Sequence, residues 1–244
     1  MPPRINGPDG DGLNPNMVGI VWSRLTRLWT RLWMRFAGTD PAGRFATRLA
    51  TWFAPPHKAR VYLSRMNPRG FIAPSVTIYH KNLKMGSHVF IDERVVIFQR
   101  ETGGPIELGN NVCIYRDTII ETGDGGSLII GDGSSIHPRC QLNAYVVPVR
   151  IGRDVMIAPN CALYPYDHGV KSDMAISEQP LQSRGSITIG DGAWLGFGVI
   201  VLGGVTIGKG AAIGAGSIVT SDIPDGAIAV GVPARVIKMR RDIG

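Results

Sequence analysis

The stretch ITIGDGAWLGFGVIVLGGVTIGKGAAIGAGSIV, residues 187–219, places Ile189, Leu195, Val201, Ile207, Ile213 and Val219 six residues apart. Four residues after each of the first five stands a small side chain: Ala193, Val199, Val205, Ala211 and Ser217. A period of six fits neither the 3.6-residue helix nor the two-residue alternation of a simple strand. It requires short strands joined by tight turns, each strand sending one large and one small side chain inward.

The same spacing runs backwards with gaps. Met85, Ile91 and Ile97 form one group, followed by Leu108, Ile114, Ile120, then Ile130, Ile136, Leu142, then Ile151, Ile157, Leu163. The steps between successive groups are eleven, ten, nine and twenty-six residues, each falling after a third member. Insertions confined to one phase in three mean that three hexads make one turn and that every insertion leaves the same corner of a triangular coil. With Ile72 and Ile78 opening the first turn, the expectation is an all-β solenoid of about seven turns over residues 71–222. A long loop at 164–188 interrupts it, and a segment at 223–244 closes it. Cys140 and Cys161 share the small inward position on successive turns and should stack in the core.

The net charge of +7 is unevenly distributed. Residues 1–70 hold eleven Arg/Lys against three Asp, whereas the remaining fifteen and sixteen nearly cancel. A neutral main body argues against nucleic acid as its partner. Residues 1–16 are polar and turn-forming and read as a disordered leader. Residues 17–70 read as a basic helical arm. Trp22, Leu25, Trp29, Leu32, Trp33 and Phe36 recur on one side of a helix and Arg24, Arg27, Arg31 and Arg35 on another. A second stretch repeats this chemistry with Phe45, Leu49, Trp52 and Phe53, and Pro55 and Pro56 stop it. Such a surface, spanning residues 17–53, suits either an anionic membrane surface or a protein neighbour. No apolar run approaches the roughly 20 residues that span a bilayer. Three cysteines with no CxxC or Cys/His cluster point to reduced thiols in the cytoplasm, peripheral on the inner membrane face if the arm binds lipid, and to no metal site.

Of the five histidines, only His168 lies in the long insertion, within LYPYDHGV. A hydroxyl is a poor nucleophile at neutral pH, and histidine is the side chain best matched to removing its proton. Asp167 is placed to orient that ring or to bind a hydroxyl.

The [LIV]-G-x-x-x-x repeat, the WLG at Trp194 and the closing DIPDGAIAVGVPARVIK resemble the hexapeptide acyltransferases, closest to the sugar and polysaccharide O-acetyltransferases of the maltose, galactoside and nodulation-factor type. The resemblance covers about residues 72–240 and leaves out the N-terminal arm. It implies a left-handed parallel β-helix, a homotrimer with active sites between subunits, and acetyl-CoA as donor. The family's catalytic histidine follows an IAPN hexad, as His168 does here. Its acceptor-binding asparagine maps by hexad count to His137, a departure, with Asn143 as the nearby substitute and Tyr166 and Trp194 as further acceptor contacts. Its coenzyme A contacts map to Phe197, Gly198, Ala215, Thr220, Ser221, Arg235 and Lys238; Phe197 stands where the family often has a small polar residue. The implied reaction is O-acetylation of a sugar or surface glycan. N-acetylation of an amino sugar, free or nucleotide-linked, and a non-catalytic scaffold are the alternatives.

Overall fold

The structure, a computed structural model, describes residues 15–242, and side chains from residue 23 onward. The leader expected over residues 1–16 lies outside the described residues, apart from its last two. These already belong to helix α1 (Pro15–Met34), which opens on a proline whose missing N–H has no intrahelical partner to lose.

From Phe71 the chain coils through three parallel sheets, one strand of each per turn. The first sheet stacks Phe71–Ile72, Phe90–Ile91, Cys113–Ile114, Ser135–Ile136, Met156–Ile157, Trp194–Leu195 and Ala212–Ile213. The second begins with Thr77–Tyr79 and ends with Ile218–Val219; the third runs from Leu83–Met85 to Thr206–Ile207, and a bridge to Ile223 completes it. Seven turns result, as the hexad count predicts. At about 4.8 Å per turn the stack is roughly 30 Å tall.

Register is what the hexads impose. Ile114, Ile136, Ile157, Leu195 and Ile213 pair turn on turn in the first sheet, all fully buried. The small residues Ala193, Val199, Val205, Ala211 and Ser217 are buried in the turns just before the next strand. Cys140 and Cys161 are buried one above the other, as expected, donating to the carbonyls of Ala158 and Gly196 at 3.2 and 3.1 Å. Its interaction with Cys161 and its burial push the Cys140 thiol up, so it stays protonated.

Two of the three corners are tight and repeat a left-handed backbone residue from the second turn onward. Between the first and second sheets it is Arg94, Asp117, Arg139, Asn160, Gly198 and Gly216. Between the third and first sheets, side chains tie four pairs of successive turns together. Asn110, Asp132, Asp191 and Asp225 accept from the backbone N–H of Ser87, Asn110, Arg153 and Lys209 at 2.7–2.9 Å. These bonds hold the Asp132 and Asp191 carboxyls below the usual carboxylate range. All insertions leave the remaining corner, between the second and third sheets, and the longest joins Tyr164 to Ile187.

The N-terminal segment is joined to the coil rather than detached from it. Asp40 caps α2 (Pro41–Ala50), and α2 packs on α1. The short helix α3 (Val61–Ser64) packs on the Phe71 strand. Phe71 and Phe90 stack outside the first sheet with ring centroids 5.3 Å apart and are fully buried, whereas Met156 and Trp194 in the same column are exposed. The covering therefore stops after the lower turns. At the other end Ala227–Val230 joins the first sheet and Arg235–Met239 folds back antiparallel on it.

Alternation within one strand gives a direct check of this register. Ile151 points inward and its neighbour Arg150 outward. Ile151→Ala should cost about 2–5 kcal/mol in urea unfolding, and Arg150→Ala less than about 0.5 kcal/mol. Equal costs would mean that the hexad register is misplaced.

Candidate active site

The long insertion is an ordered hairpin. Asp167–His168 pairs antiparallel with Leu181–Gln182. At its root Ser183 Oγ donates to the Pro165 carbonyl at 2.6 Å, and Gly204 N–H donates to the Gly185 carbonyl. Further out, the buried Gln179 side chain accepts from Lys171 N–H at 2.8 Å and donates to the Lys171 and Met174 carbonyls. This one amide ties the outer part of the loop together. His168 and Asp167 are both exposed, and neither side chain has a hydrogen-bond partner among the described residues. As neighbours on a strand they point to opposite faces, so Asp167 does not orient the His168 ring. Val170, Met174 and Ile176 leave an apolar surface on the same loop uncovered.

At the corner from which the hairpin springs lie Tyr166 and Asn143. The Tyr166 ring packs on Tyr145 and Tyr164 with centroids 5.3 and 6.0 Å away. Tyr145 Oη donates to Glu121 at 3.4 Å, and Arg100 stands over the Tyr145 ring. Burial pushes the Tyr145 and Tyr166 hydroxyls up, keeping them neutral hydrogen-bond donors. Asn143 sits beside Glu121 in the ladder, is buried, and its Nδ2 has no partner. A buried amide left unsatisfied is costly and marks a place where a ligand could supply the bond.

His137 lies elsewhere, on the first-to-second corner of the fourth turn. It belongs to a cluster that sequence reading missed. Asp92, Tyr115 and His137 each follow the inward isoleucine of the first sheet on successive turns, a column legible in the hexads. His57, Lys58 and Arg116 complete the cluster. The Tyr115 ring lies 4.9 Å from that of His137 and 5.6 Å from that of His57. Lys58 Nζ stands 5.9 Å from the Tyr115 ring centroid. His57 Nδ1 pairs with the fully buried Asp92 at 3.2 Å, and Arg116 Nε donates to the same oxygen at 3.4 Å. Burial, with Cys113 and Asp92 nearby, pushes the Tyr115 hydroxyl up to about 12. Burial, with the charges of Lys58 and His57, lowers His137.

The remaining candidates occupy the upper turns. Trp194 stands half-exposed on the first sheet between Met156 and Ala212. Phe197 is exposed at the first-to-second corner, and Ala215 holds the same place one turn up, where Gly216 N–H donates to the Phe197 carbonyl. Gly198 and Gly216 take φ of +70°, and a Cβ on either would meet nothing within 4 Å. The space beside this corner is open. Thr220 and Ser221 follow the last strand of the second sheet, and Arg235 and Lys238 lie on the returning C-terminal strand. One chain thus brings His168, Tyr166 and Asn143 to one corner and leaves Trp194, Phe197, Gly198, Ala215 and His137 along another face and edge. Among the described residues no group of three or more His, Cys, Asp or Glu converges as a metal site.

Comparison with known proteins agrees with this architecture. Residues 186–221 match the family described as bacterial transferase hexapeptide (six repeats). A galactoside O-acetyltransferase from Lactococcus lactis is 42% identical over 137 residues, 56% of this chain and 64% of that one. Among solved structures, the polySia-specific acetyltransferase NeuO superposes with a TM-score of 0.50 at 28% identity, over 68% of this chain and 70% of that one. A point mutant of AntD, an N-acyltransferase from Bacillus cereus in complex with dTDP and coenzyme A, gives 0.55 at 26%, over 65% and 83%. The chain spans about half the length of the first curated relatives it matches. Its coil is the left-handed parallel β-helix expected from the sequence.

The His137 cluster has a titration signature. Its imidazole should titrate below the ordinary value of 6.5 in an NMR pH series, and Lys58→Gln should move it only partway back, because burial is the larger cause. A lowered folded-state pKa means that the unfolded chain binds the extra proton first. Its contribution to stability is therefore present above 6.5 and lost as pH falls below it. The melting temperature of His137→Gln should accordingly fall less steeply than wild type on acidification. A His137 titrating at or above 6.5 would refute this packing.

Proposed function

We propose that this chain, which belongs to the hexapeptide-repeat acyltransferase family, is an acetyl-CoA-dependent O-acetyltransferase. Its acceptor would be a sugar or surface-glycan hydroxyl on the cytoplasmic side, with His168 as general base. The observation that carries the reading is the ordered hairpin that breaks an otherwise regular coil, presenting His168 at the corner that holds Tyr166 and the unsatisfied Asn143 amide.

The chemistry asks little more of the protein. A ring nitrogen of His168 takes the acceptor hydroxyl proton as the oxygen bonds to the thioester carbonyl carbon. When the tetrahedral adduct collapses, the C–S bond breaks and the imidazolium returns a proton to the departing thiolate. No covalent enzyme intermediate is required. Asn143 and Tyr166 would hold acceptor hydroxyls, and Trp194 offers a flat ring for a sugar face. The open corner beside Phe197, Gly198 and Ala215 would take the pantetheine arm; Thr220 and Ser221 offer hydroxyls, and Arg235 and Lys238 cations, for the phosphates. His137 and its cluster would form the outer part of the acceptor site.

These groups sit on different faces of one prism, which supports a homotrimer. A three-fold assembly sets unlike faces of neighbours against each other. It would bring the His168 hairpin of one copy to the Trp194 face of the next, covering Val170, Met174 and Ile176 with Met156, Trp194 and Phe197. N-acetylation of an amino sugar is the second reading, favoured by the likeness to an N-acyltransferase structure with dTDP and coenzyme A bound. An acceptor screen read by thiol release separates the two.

Two results are expected. His168→Asn should lower turnover by ~10²–10⁴-fold, the usual share of a positioned general base, with folding and coenzyme A affinity kept because no core hexad changes. Near-normal turnover would place the base elsewhere. Light scattering should return about three times 26.3 kDa, and a monomer would remove the shared site.

A further inference from the structure

The N-terminal helices bury the wrong face for an ordinary surface element. At 100° per residue, the described part of α1 and the turn that follows it, to residue 37, carry three stripes. Thr30, Met34 and Ala37 face α2 and the coil and are buried. Arg24, Arg27, Arg31 and Arg35 form a second, exposed stripe. The third holds the large apolar side chains, and it looks outward: Leu25 is 55% exposed, Leu28 60%, Leu32 50% and Phe36 59%. Trp29 belongs to it too, its indole N–H donating to the Leu49 carbonyl at 2.7 Å while the ring stays partly open.

The patch continues beyond α1. Trp29 meets the Phe53 ring at 6.2 Å and Trp33 at 5.8 Å, and Trp33 meets Phe36 at 6.5 Å. Phe45 and Trp52 on the second helical stretch are exposed as well, Trp52 by 70%. Arg48 is exposed beside them. A contiguous apolar surface of this kind on a folded chain marks a contact site.

We propose that this surface docks the protein on an anionic lipid bilayer, lying in the plane of the headgroups. The charge selects the occupant. Between residues 15 and 39 the chain has four arginines and no carboxylate. A second copy of the same patch would bring cation against cation, whereas anionic headgroups meet the arginine stripe while the leucines and aromatic rings enter the acyl boundary. No described helix is long and apolar enough to cross a membrane, so the contact is to lie on the surface. The role of His168 plays no part in this inference.

Flotation of the full-length protein with phosphatidylcholine vesicles, with and without phosphatidylglycerol, tests it. Wild type should bind the anionic vesicles and lose affinity as salt is raised. Arg27→Gln/Arg31→Gln should weaken binding roughly tenfold to thirtyfold, from about 1 kcal/mol per cation. Leu28→Glu/Leu32→Glu should weaken it at least ~10-fold, while circular dichroism and turnover of a soluble acceptor stay at wild-type levels. Wild type that binds neither vesicle overturns the proposal. So does a leucine variant that still floats but changes oligomeric mass, because the patch then meets a second copy. Because binding is read without turnover, a failed acetyl-transfer reading leaves this result intact.

Discussion

Each inner strand of the coil is hydrogen-bonded to the strand one turn below and one turn above, and this continuous parallel stacking governs everything else. Inward side chains are locked in register over seven turns, so a residue gained or lost within a strand would turn its inward set outward. Variation is confined to corners. Two corners are already committed, one to a column of left-handed residues and the other to Asn and Asp side chains bonded to the turn before. Only the second-to-third corner is free to lengthen, and it is the corner that carries His168.

The same regularity explains how much could be read from the sequence. Hexads at Ile189 through Val219 fix which residues are inside, and the unequal steps at 97, 120, 142 and 163 locate the one variable corner. The stacking of Cys140 on Cys161 follows from position alone. The cluster around His137 was only half legible. Asp92, Tyr115 and His137 share a column, but His57 and Lys58 reach them from a segment outside the repeat, and no periodicity places such a segment. Asn143 shows the opposite case. Hexad counting maps the acceptor position to His137 with Asn143 nearby, and the structure adds that the Asn143 side chain is buried with its amide unbonded. Burial of an amide without a partner is a tertiary fact that hexad position does not carry.

The N-terminal segment was readable as amphipathic, but not which face would pack. Its apolar moment points to Leu and Trp, while the coil takes Thr30, Met34, Ala37, Ala46 and Ala50. Apart from Met34 these are small residues, which let the two helices lie close to each other and to the first turn. The cost of leaving the larger apolar residues in water is real, about 1.5–3 kcal/mol for each fully exposed side chain. A sequence that accepts this at several neighbouring positions has another environment for them.

The two ends of the coil differ for a related reason. A stack of parallel strands has an open edge at each end, and unpaired backbone there invites association with other chains. The upper edge is closed by the chain's own return, Arg235–Met239 folding antiparallel on Ala227–Val230. The lower turns are covered by helices, which need not follow the strand register and so can present a surface of their own. The hairpin with His168 has the same freedom. Its shape comes from Gln179 and Ser183 rather than from the stack, and the imidazole it carries has no partner among the described side chains. An imidazole held there with no partner on either ring nitrogen is left to be oriented by whatever binds beside it. The hairpin and the helices, on which the proposed functions rest, are therefore the parts the repeat does not dictate, and each is attached to the coil where the repeat leaves hydrogen bonds or surface unassigned.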